Sequence, residues 1–233
     1  MRKAVMLLSL VFLVSFIFKP PWSKAEDNKW PRLVDECGMV LSEVQQMPDQ
    51  AIPKDLLEKC FAIAIFPNTI SAGFGFGGKY GQGIVMVRDE NKRDWSTPAI
   101  FNLIGGSLGW QIGGQATDFI LLFMNRRSLD GLLKSKFKLG ADAAVSAGPI
   151  GRDAEISTDA QLKGGILSYS RSRGLFAGLK LEGAVLTQHR EGNKGLYGRD
   201  LSAREILFED KARMPAATNR LLKILHNYPL RKK

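Results

Sequence analysis

Between Phe61 and Gln188, glycine returns every few residues, and the segments between the glycines are short and apolar. This limits the fold more than any other feature. "FAIAIF", "GIVMVR", "AIFNLIGG", "DFILLFM", "GGILSYSRS" and "LEGAVLTQ" either alternate or run continuously in apolar character. Such segments, bounded by Gly, Asp and Asn, read as short strands of an antiparallel sheet or barrel. Glycine inside a strand marks a sharp bend or a close approach of backbones, which a tightly coiled sheet requires. One helical interruption fits Ser128 to Lys134.

The densest stretch, Ser71 to Gly83, carries Gly73, Gly75 and Gly78 in the G-x-G-x-x-G spacing of a nucleotide loop. A pyrophosphate site needs a helix to open at the third glycine, so that free N–H groups face the phosphates. Here Lys79-Tyr80-Gly81-Gln82-Gly83 leads into a β-branched run, which makes strand rather than helix. The nucleotide reading fails on context, and the glycines read as bends that let Phe74 and Phe76 pack on the barrel. A second motif meets the same objection. Gly105-Gly106-Ser107-Leu108-Gly109 fits the G-x-S-x-G nucleophile elbow, and Asp142 and His189 follow in α/β-hydrolase order. The elbow needs a helix after the serine, and Gly113-Gly114 would break it. A serine hydrolase using Ser107 is a remote alternative. Asp118 and Glu182 lie inside apolar strands, where a carboxylate answering backbone or Arg donors is a commoner case than an acid pair.

Helices flank the β region. After Pro31, which suits a first helical turn, Leu33, Cys37, Val40, Val44 and Met47 recur at spacings of four, three, four and three. That is an amphipathic helix within residues 26–51, and its Asp35, Glu36 and Glu43 oppose an anionic membrane. The helix therefore docks on its own domain. A short helix around Asp55 to Lys59 follows Pro53. Near the other end, Ser202-Ala203-Arg204-Glu205 is a capping box opening a helix through Phe208. Leu221, Leu222 and Leu225 stripe a last helix ending before Pro229, and 229–233 is a basic tail. The fold class is α+β, a Gly-rich antiparallel sheet or barrel packed with amino- and carboxyl-terminal helices.

Residues 1–25 stand apart. Met1-Arg2-Lys3 is positively charged, Ala4 to Phe18 is apolar, and Ser23-Lys24-Ala25 has the small-x-small form of a cleavage site. Export with cleavage after Ala25 is expected, to the periplasm or cell envelope, and an uncleaved anchor is the alternative. Removing four basic residues lowers the net charge of the chain from +10 to +6. Glu26 to Phe119 holds 8 basic and 12 acidic residues, whereas Ile120 to Lys233 holds 21 and 11. This asymmetry points to a face that meets an anionic partner, and for an exported chain that is phospholipid or an envelope polymer rather than nucleic acid. Cys37 and Cys60 fit either one disulfide or two core thiols. No Cys-x-x-Cys or His-x-x-x-His spacing suggests a metal, and no cofactor is expected.

"SYSRSRGLFAGLKLEGAVL", followed by "GNKGLYG" and "SAREIL", resembles the SYLF domain family. So do the earlier blocks "GFGFGGKYGQGIVMVR", "WSTPAIFNLIGGSLGWQIGGQATDFILLF" and "KLGADAAVSAGPIGRDAE", in the same order. The resemblance covers about Ile52 to Leu225, within a domain at 52–228. It implies a lipid-binding domain without enzymatic activity. Eukaryotic relatives bind phosphoinositides and some bind and bundle actin, whereas bacterial relatives look like envelope lipid-binding proteins. Many relatives carry Lys where this chain has Ser71, and their first helix is often basic where this one is acidic. Actin is not an expected partner for an exported chain.

Candidate headgroup residues follow from strand alternation. Tyr169, Arg171 and Arg173 share one face, opposite Ser168, Ser170 and Ser172, and an aromatic beside two guanidinium forks suits phosphate. Arg171 and Arg173 equally fit ion pairs with Asp118, Asp153 or Glu155 that staple the barrel. Lys134, Lys136 and Lys138 share a face opposite Phe137 and Leu139 if extended, and Arg126 and Arg127 stand nearby. The expected function is non-enzymatic binding of anionic phospholipid at the cell envelope. The alternative is a structural protein whose basic face binds another envelope protein or polymer.

Overall fold

The computed structural model describes residues 29–47, 50–89, 94–151, 165–172 and 174–229, with the side chains at 74–76 and 107–114 outside that description. The leader, cleavage after Ala25, Arg173, Asp153, Glu155, the rings of Phe74 and Phe76, the Ser107 hydroxyl and the Arg231-Lys232-Lys233 tail lie outside the described residues.

The strand segments read as separate join into two very long strands. β1 runs Ala62–Asp89 and β3 runs Ala99–Phe123, and they pair antiparallel along almost their full length. The expectation of many short strands is corrected here. A β-ladder is held by backbone groups, so glycine bends it without interrupting it. Gly73 pairs opposite Gly113, Gly75 opposite Gly109, and Gly78 opposite Gly106. The nucleotide-like spacing therefore lies in mid-strand. Register shifts between Phe66 and Thr69 and between Gly73 and Gly75 add the bends that a ribbon of this length needs.

The bends bring the ribbon back to itself. The Arg88 N–H donates to the Phe61 carbonyl at 2.8 Å, closing the two ends of β1 edge to edge. At Gly83 a Cβ would stand 2.1 Å from the Ile65 carbonyl oxygen, and at Gly81 it would stand 2.2 Å from the Thr69 hydroxyl. Only glycine fits where the strand crosses its own start.

Among the described residues, shorter strands extend the sheet to eight, curled into a half-barrel. They are β2 (Asp94–Trp95), β4 (Phe137–Lys138), β5 (Val145–Ala147), β6 (Ile166–Ser172), β7 (Leu175–Gly178) and β8 (Val185–Gln188). Both faces of the ribbon's ends are buried, which is why "FAIAIF" is continuously apolar. Ile63, Ile65, Ile84, Met86, Ile120 and Leu122 meet helix α1 (Lys29–Gln45) and helix α6 (Asn219–Leu225). Ala64, Phe66, Val85, Phe101, Leu121 and Phe123 face α3 (Arg126–Leu132) and α5 (Ala203–Leu207). The other α-helices among the described residues are α2 (Lys54–Lys59) and α4 (Arg190–Tyr197).

The helix expectations hold in substance. α1 buries Val34, Cys37, Val40, Leu41 and Val44, each contributing about 1.5–3 kcal/mol. α5 carries the full capping box between Ser202 and Glu205. α3 starts two residues earlier than its pattern suggested, because the Asn125 carboxamide oxygen accepts from the Ser128 N–H at 2.9 Å and caps it. Cys37 and Cys60 are free and buried. Of the two cysteine readings, core thiols is the one seen, and burial pushes the Cys60 thiol up to about 11.

Candidate functional site

β6 pairs with β3 so that Tyr169 stands opposite Ile120 and Arg171 opposite Asp118, on the face that meets α1. The alternation places Tyr169 and Arg171 together as expected. Their surroundings differ from a headgroup site. Tyr169 is wholly buried and its ring stacks on Phe176, centroids 5.4 Å apart. Its hydroxyl donates to the Pro149 carbonyl at 3.2 Å, and burial drives the phenol far above its ordinary pKa. A Cβ at Gly148 would meet this ring at 2.0 Å, so glycine there makes room for it. Tyr169 packs the core and offers no surface to a lipid.

Arg171 is a staple. Its Nε donates to Asp118 Oδ2 at 2.8 Å, Nη2 reaches the same oxygen at 2.7 Å, and Nη1 pairs with Glu43 on α1. Burial alone would pull the guanidinium pKa down, but the bonds to Glu43 and Asp118 outweigh it and hold it above the usual value. The other carboxylate oxygen of Asp118 accepts from the Asn68 N–H at 2.8 Å. Asn68 has φ of 47°, a left-handed conformation at the first bulge of β1. One guanidinium thus ties the first helix to the bulge where the ribbon leaves the core. The pairing with Asp118 was legible in the sequence. Glu43, 128 positions away from Arg171, was not.

The remaining basic candidates are exposed and lie within one short stretch of the chain. α3 and β4 bring Arg126, Arg127, Lys134, Lys136 and Lys138 onto one exposed stretch, while Phe137 and Leu139 are buried beneath it. Lys134 pairs with Asp142 at 3.1 Å, and the Lys138 N–H donates to the second oxygen of Asp142 at 2.7 Å. Those two groups, the Lys138 N–H first, hold the Asp142 carboxyl below its ordinary range. Among the described residues no carboxylate pairs with Arg127, Lys136 or Lys138. Arg126 lines a cavity of about 440 Å³ with Arg88, Asp89, Asp94, Trp95, Asp130 and Phe208.

The backbone around Ser107 is strand, not the strand-to-helix turn that a nucleophile elbow needs. The His189 N–H donates to Ile100, and Ser107 follows seven residues later, about 20 Å along the strand. His189 caps α4: its Nδ1 accepts from the Gly192 N–H at 2.9 Å, which leaves the proton of the neutral ring on Nε2. Glu182 pairs with Lys180 at 2.8 Å, on the exposed surface, while Asp118 is held by Arg171.

A second cavity went unread in the sequence. Lys29, Arg32, Leu33 and Glu36 of α1 face Pro67, Asn68, Ile70, Tyr80, Gly81 and Gln82 of β1 across a groove of about 740 Å³. The two walls are far apart in sequence and meet only because the ribbon curls.

The chain matches the model of the family described as Las17-binding protein actin regulator, Ysc84, over residues 104–228. It is 34% identical over 182 residues to LAS seventeen-binding protein 3 of Saccharomyces cerevisiae, covering 77% of this chain and 39% of that protein. It is 32% identical over 206 residues to SH3 domain-containing YSC84-like protein 1 of Homo sapiens, covering 88% of this chain and 59% of that one. The chain therefore spans between about two fifths and three fifths of the length of these relatives.

Proposed function

From the premise that this chain belongs to the Ysc84 family, also called the SYLF family, whose named relatives are binding and regulatory proteins, we propose that it binds anionic phospholipid surfaces without catalysis. The observation that carries this reading is the exposed α3–β4 edge. Residues 126–142 hold five cations and only two carboxylates. A solvated basic stretch suits a membrane surface, where each Lys or Arg contributes about 1 kcal/mol. The leader-like composition of residues 1–25 favours the cell envelope as the setting for that surface, away from actin. The relatives' names favour a second reading, in which the same basic edge binds an acidic protein partner.

Cosedimentation with anionic vesicles at two salt concentrations tests the proposal. The parent chain should bind at low salt and release as the Debye length shrinks. Replacing Lys134, Lys136 and Lys138 with Gln should weaken binding at least tenfold and flatten the salt dependence. A parent chain that ignores anionic vesicles at low salt would sink the lipid reading and favour the protein partner.

A further inference from the structure

We propose that His189 is the proton sensor of a latch: the neutral ring holds the amino-terminal turn of α1 against α4, and the protonated ring lets that turn go. The inference is independent of what the protein's surface binds.

α4 is a helix that its own sequence barely supports. It runs only from Arg190 to Tyr197, and Gly192 and Gly195 lie inside it. Isolated helices of this length are marginal in water, and each interior glycine weakens them further. Both ends are therefore closed by specific contacts. Gly198, with φ of 66°, takes the left-handed position after the last turn, and its N–H donates to the Lys194 carbonyl at 2.8 Å. At the other end the cap is the imidazole of His189, whose Nδ1 accepts from the Gly192 N–H at 2.9 Å. The usual caps are serine, threonine, asparagine and aspartate, none of which gains a proton near neutral pH. Histidine does.

The two glycines are where α1 docks. A Cβ at Gly195 would stand 2.4 Å from Trp30 Nε1, and one at Gly192 would stand 3.1 Å from the same ring. Trp30, in the first turn of α1, is buried on this smooth face, and its ring meets His189 edge to face with centroids 4.8 Å apart. One imidazole thus touches both sides of the seam, capping α4 with a ring nitrogen and packing against the tryptophan of α1.

A proton on Nδ1 disturbs both contacts. In the cap it sets an N–H against the Gly192 N–H, donor against donor. Turning the ring to relieve this takes it off Trp30. The charges that reach the ring are Lys29 on α1 and Glu191 on α4, while β3 presents the uncharged Ile100. Arg190, next in sequence, is drawn to Asp200 at 3.1 Å. The Lys29 ammonium lies 4.4 Å from the Trp30 centroid, so an imidazolium brings a second cation to the same aromatic. Burial pulls the pKa of His189 below the ordinary 6.5 and Lys29 adds to this, whereas its own backbone oxygen and Glu191 pull the other way. A folded pKa held below the unfolded value gives stability that is present above the unfolded value and lost as pH falls through the folded one. The latch is therefore closed at neutral pH and opens on acidification.

What opens is limited. Asn193 still ties α4 to β3, its carboxamide oxygen accepting from the Ile100 N–H at 2.7 Å, and the far half of α1 stays pinned by Glu43 on Arg171. The part released is the turn that carries Lys29 and Arg32, one wall of the groove that faces Ile70 and Tyr80 of β1. The groove therefore widens when the proton binds.

The test follows amide hydrogen exchange in the full chain from about pH 7.5 to about pH 5, a window that spans the ordinary titration of histidine. Rates are corrected for the intrinsic pH dependence of exchange. In the parent, α4 and residues 29–36 should exchange at least about fivefold faster at the acid end, the scale of one lost cap, while Ala62 to Phe66 in β1 stay protected. In H189N the asparagine oxygen accepts the same N–H and does not titrate, so both helices should keep their protection throughout. K29Q, altered at an exposed position, removes a cation that resists protonation and should move the opening to higher pH. E191Q should move it lower. The ring nitrogen resonances of His189 in the parent report the titration without any variant, and should show the Nε2–H tautomer at neutral pH. Equal protection of the parent at both ends of the window overturns the latch, as does an acid opening that persists in H189N. An Nδ1–H tautomer, or shifts of the wrong sign in K29Q and E191Q, overturns His189 as its sensor. Loss of protection in β1 at the same pH as in α4 overturns the local device, since the event is then global unfolding.

Discussion

The ends and the middle of the β1–β3 ribbon share one backbone ladder but live in different environments. At the ends, Ala62 to Phe66 and Ile84 to Val87 are buried on both faces, against α1 on one side and α3 and α5 on the other. In the middle, Ile70, Tyr80 and Ile104 are exposed, and glycine replaces the branched side chains that would fill a core. Glycine has opposite meanings in the two regions. Gly83 is glycine because the backbone of Ile65 occupies the space where a Cβ would go. At Gly106 nothing lies within 4 Å of that space. The difference teaches that a Gly-rich segment is not one feature. Some of its glycines close the fold, and others only lighten a strand that faces water.

The sharpest way to break this contrast is at the crossing. Gly83→Ala forces a methyl group into backbone, which cannot swing aside as a side chain would. We expect a loss of about 3 kcal/mol or more, read as an early thermal midpoint or failure to fold. A variant that melts with the parent would show that the ends of β1 do not meet.

Next in size is the staple that ties the ribbon's exit to α1. Arg171→Gln leaves Asp118, nearly buried, without its cation. The expected cost is about 2 kcal/mol, below that of a fully buried pair because both side chains keep some contact with water. The double variant R171Q/D118N should recover part of it, since the uncompensated charge goes with the second change. Denaturant midpoints of the parent, both single variants and the double variant decide the matter, and strict additivity would refute the coupling.

A smaller effect tests the layer that covers the ribbon's far face. The Ser202 N–H, then the Ser202 hydroxyl, then Lys211 hold the Glu205 carboxyl at about 2, down from an ordinary 4.5. A depressed folded pKa contributes stability above the unfolded value, and that stability is lost as pH falls through the folded value. Stability should therefore decline between about pH 4.5 and pH 2, and Glu205→Gln should remove that part of the decline. Unchanged acid sensitivity in this variant would count against the capping box as its source.

The smallest effect sharpens the comparison from the other side. Gly106→Ala should change stability by no more than about 0.5 kcal/mol, since its backbone φ is not positive and its surroundings are open. A large loss there would mean that the ribbon's middle is as constrained as its ends.

The parts legible in the sequence are those whose cause is local. Spacings of three and four gave α1 its buried face, and Ser202 with Glu205 three residues on announced α5. The residues after Gly78 and after Ser107 cannot open a helix, which spoke against both motif readings in the sequence itself. Alternation put Tyr169 beside Arg171, and Asp118 was among the partners considered. What alternation could not supply was what stands above that face. Tyr169 is a core ring only because Phe176 and Gly148 receive it, and Arg171 is a staple only because α1 brings Glu43 over it.

The sequence by itself determined the class of the molecule, a Gly-rich antiparallel sheet between helices, because apolar period, capping and glycine content act within a few residues of each other. It also determined that the cations gather in the second half of the chain. Tertiary structure alone decided that the segments around Gly73 to Gly83 and Gly105 to Gly114 belong to one continuous ribbon. It likewise decided that this ribbon curls back to close on its own start, and that its first turn forms a groove with Lys29 and Arg32. The physical reason is that a β-ladder is built from backbone groups common to every residue, so its length and register carry little trace in side chains. The bends that close it depend on contacts between residues about twenty positions apart, such as Ile65 and Gly83, which no local pattern records.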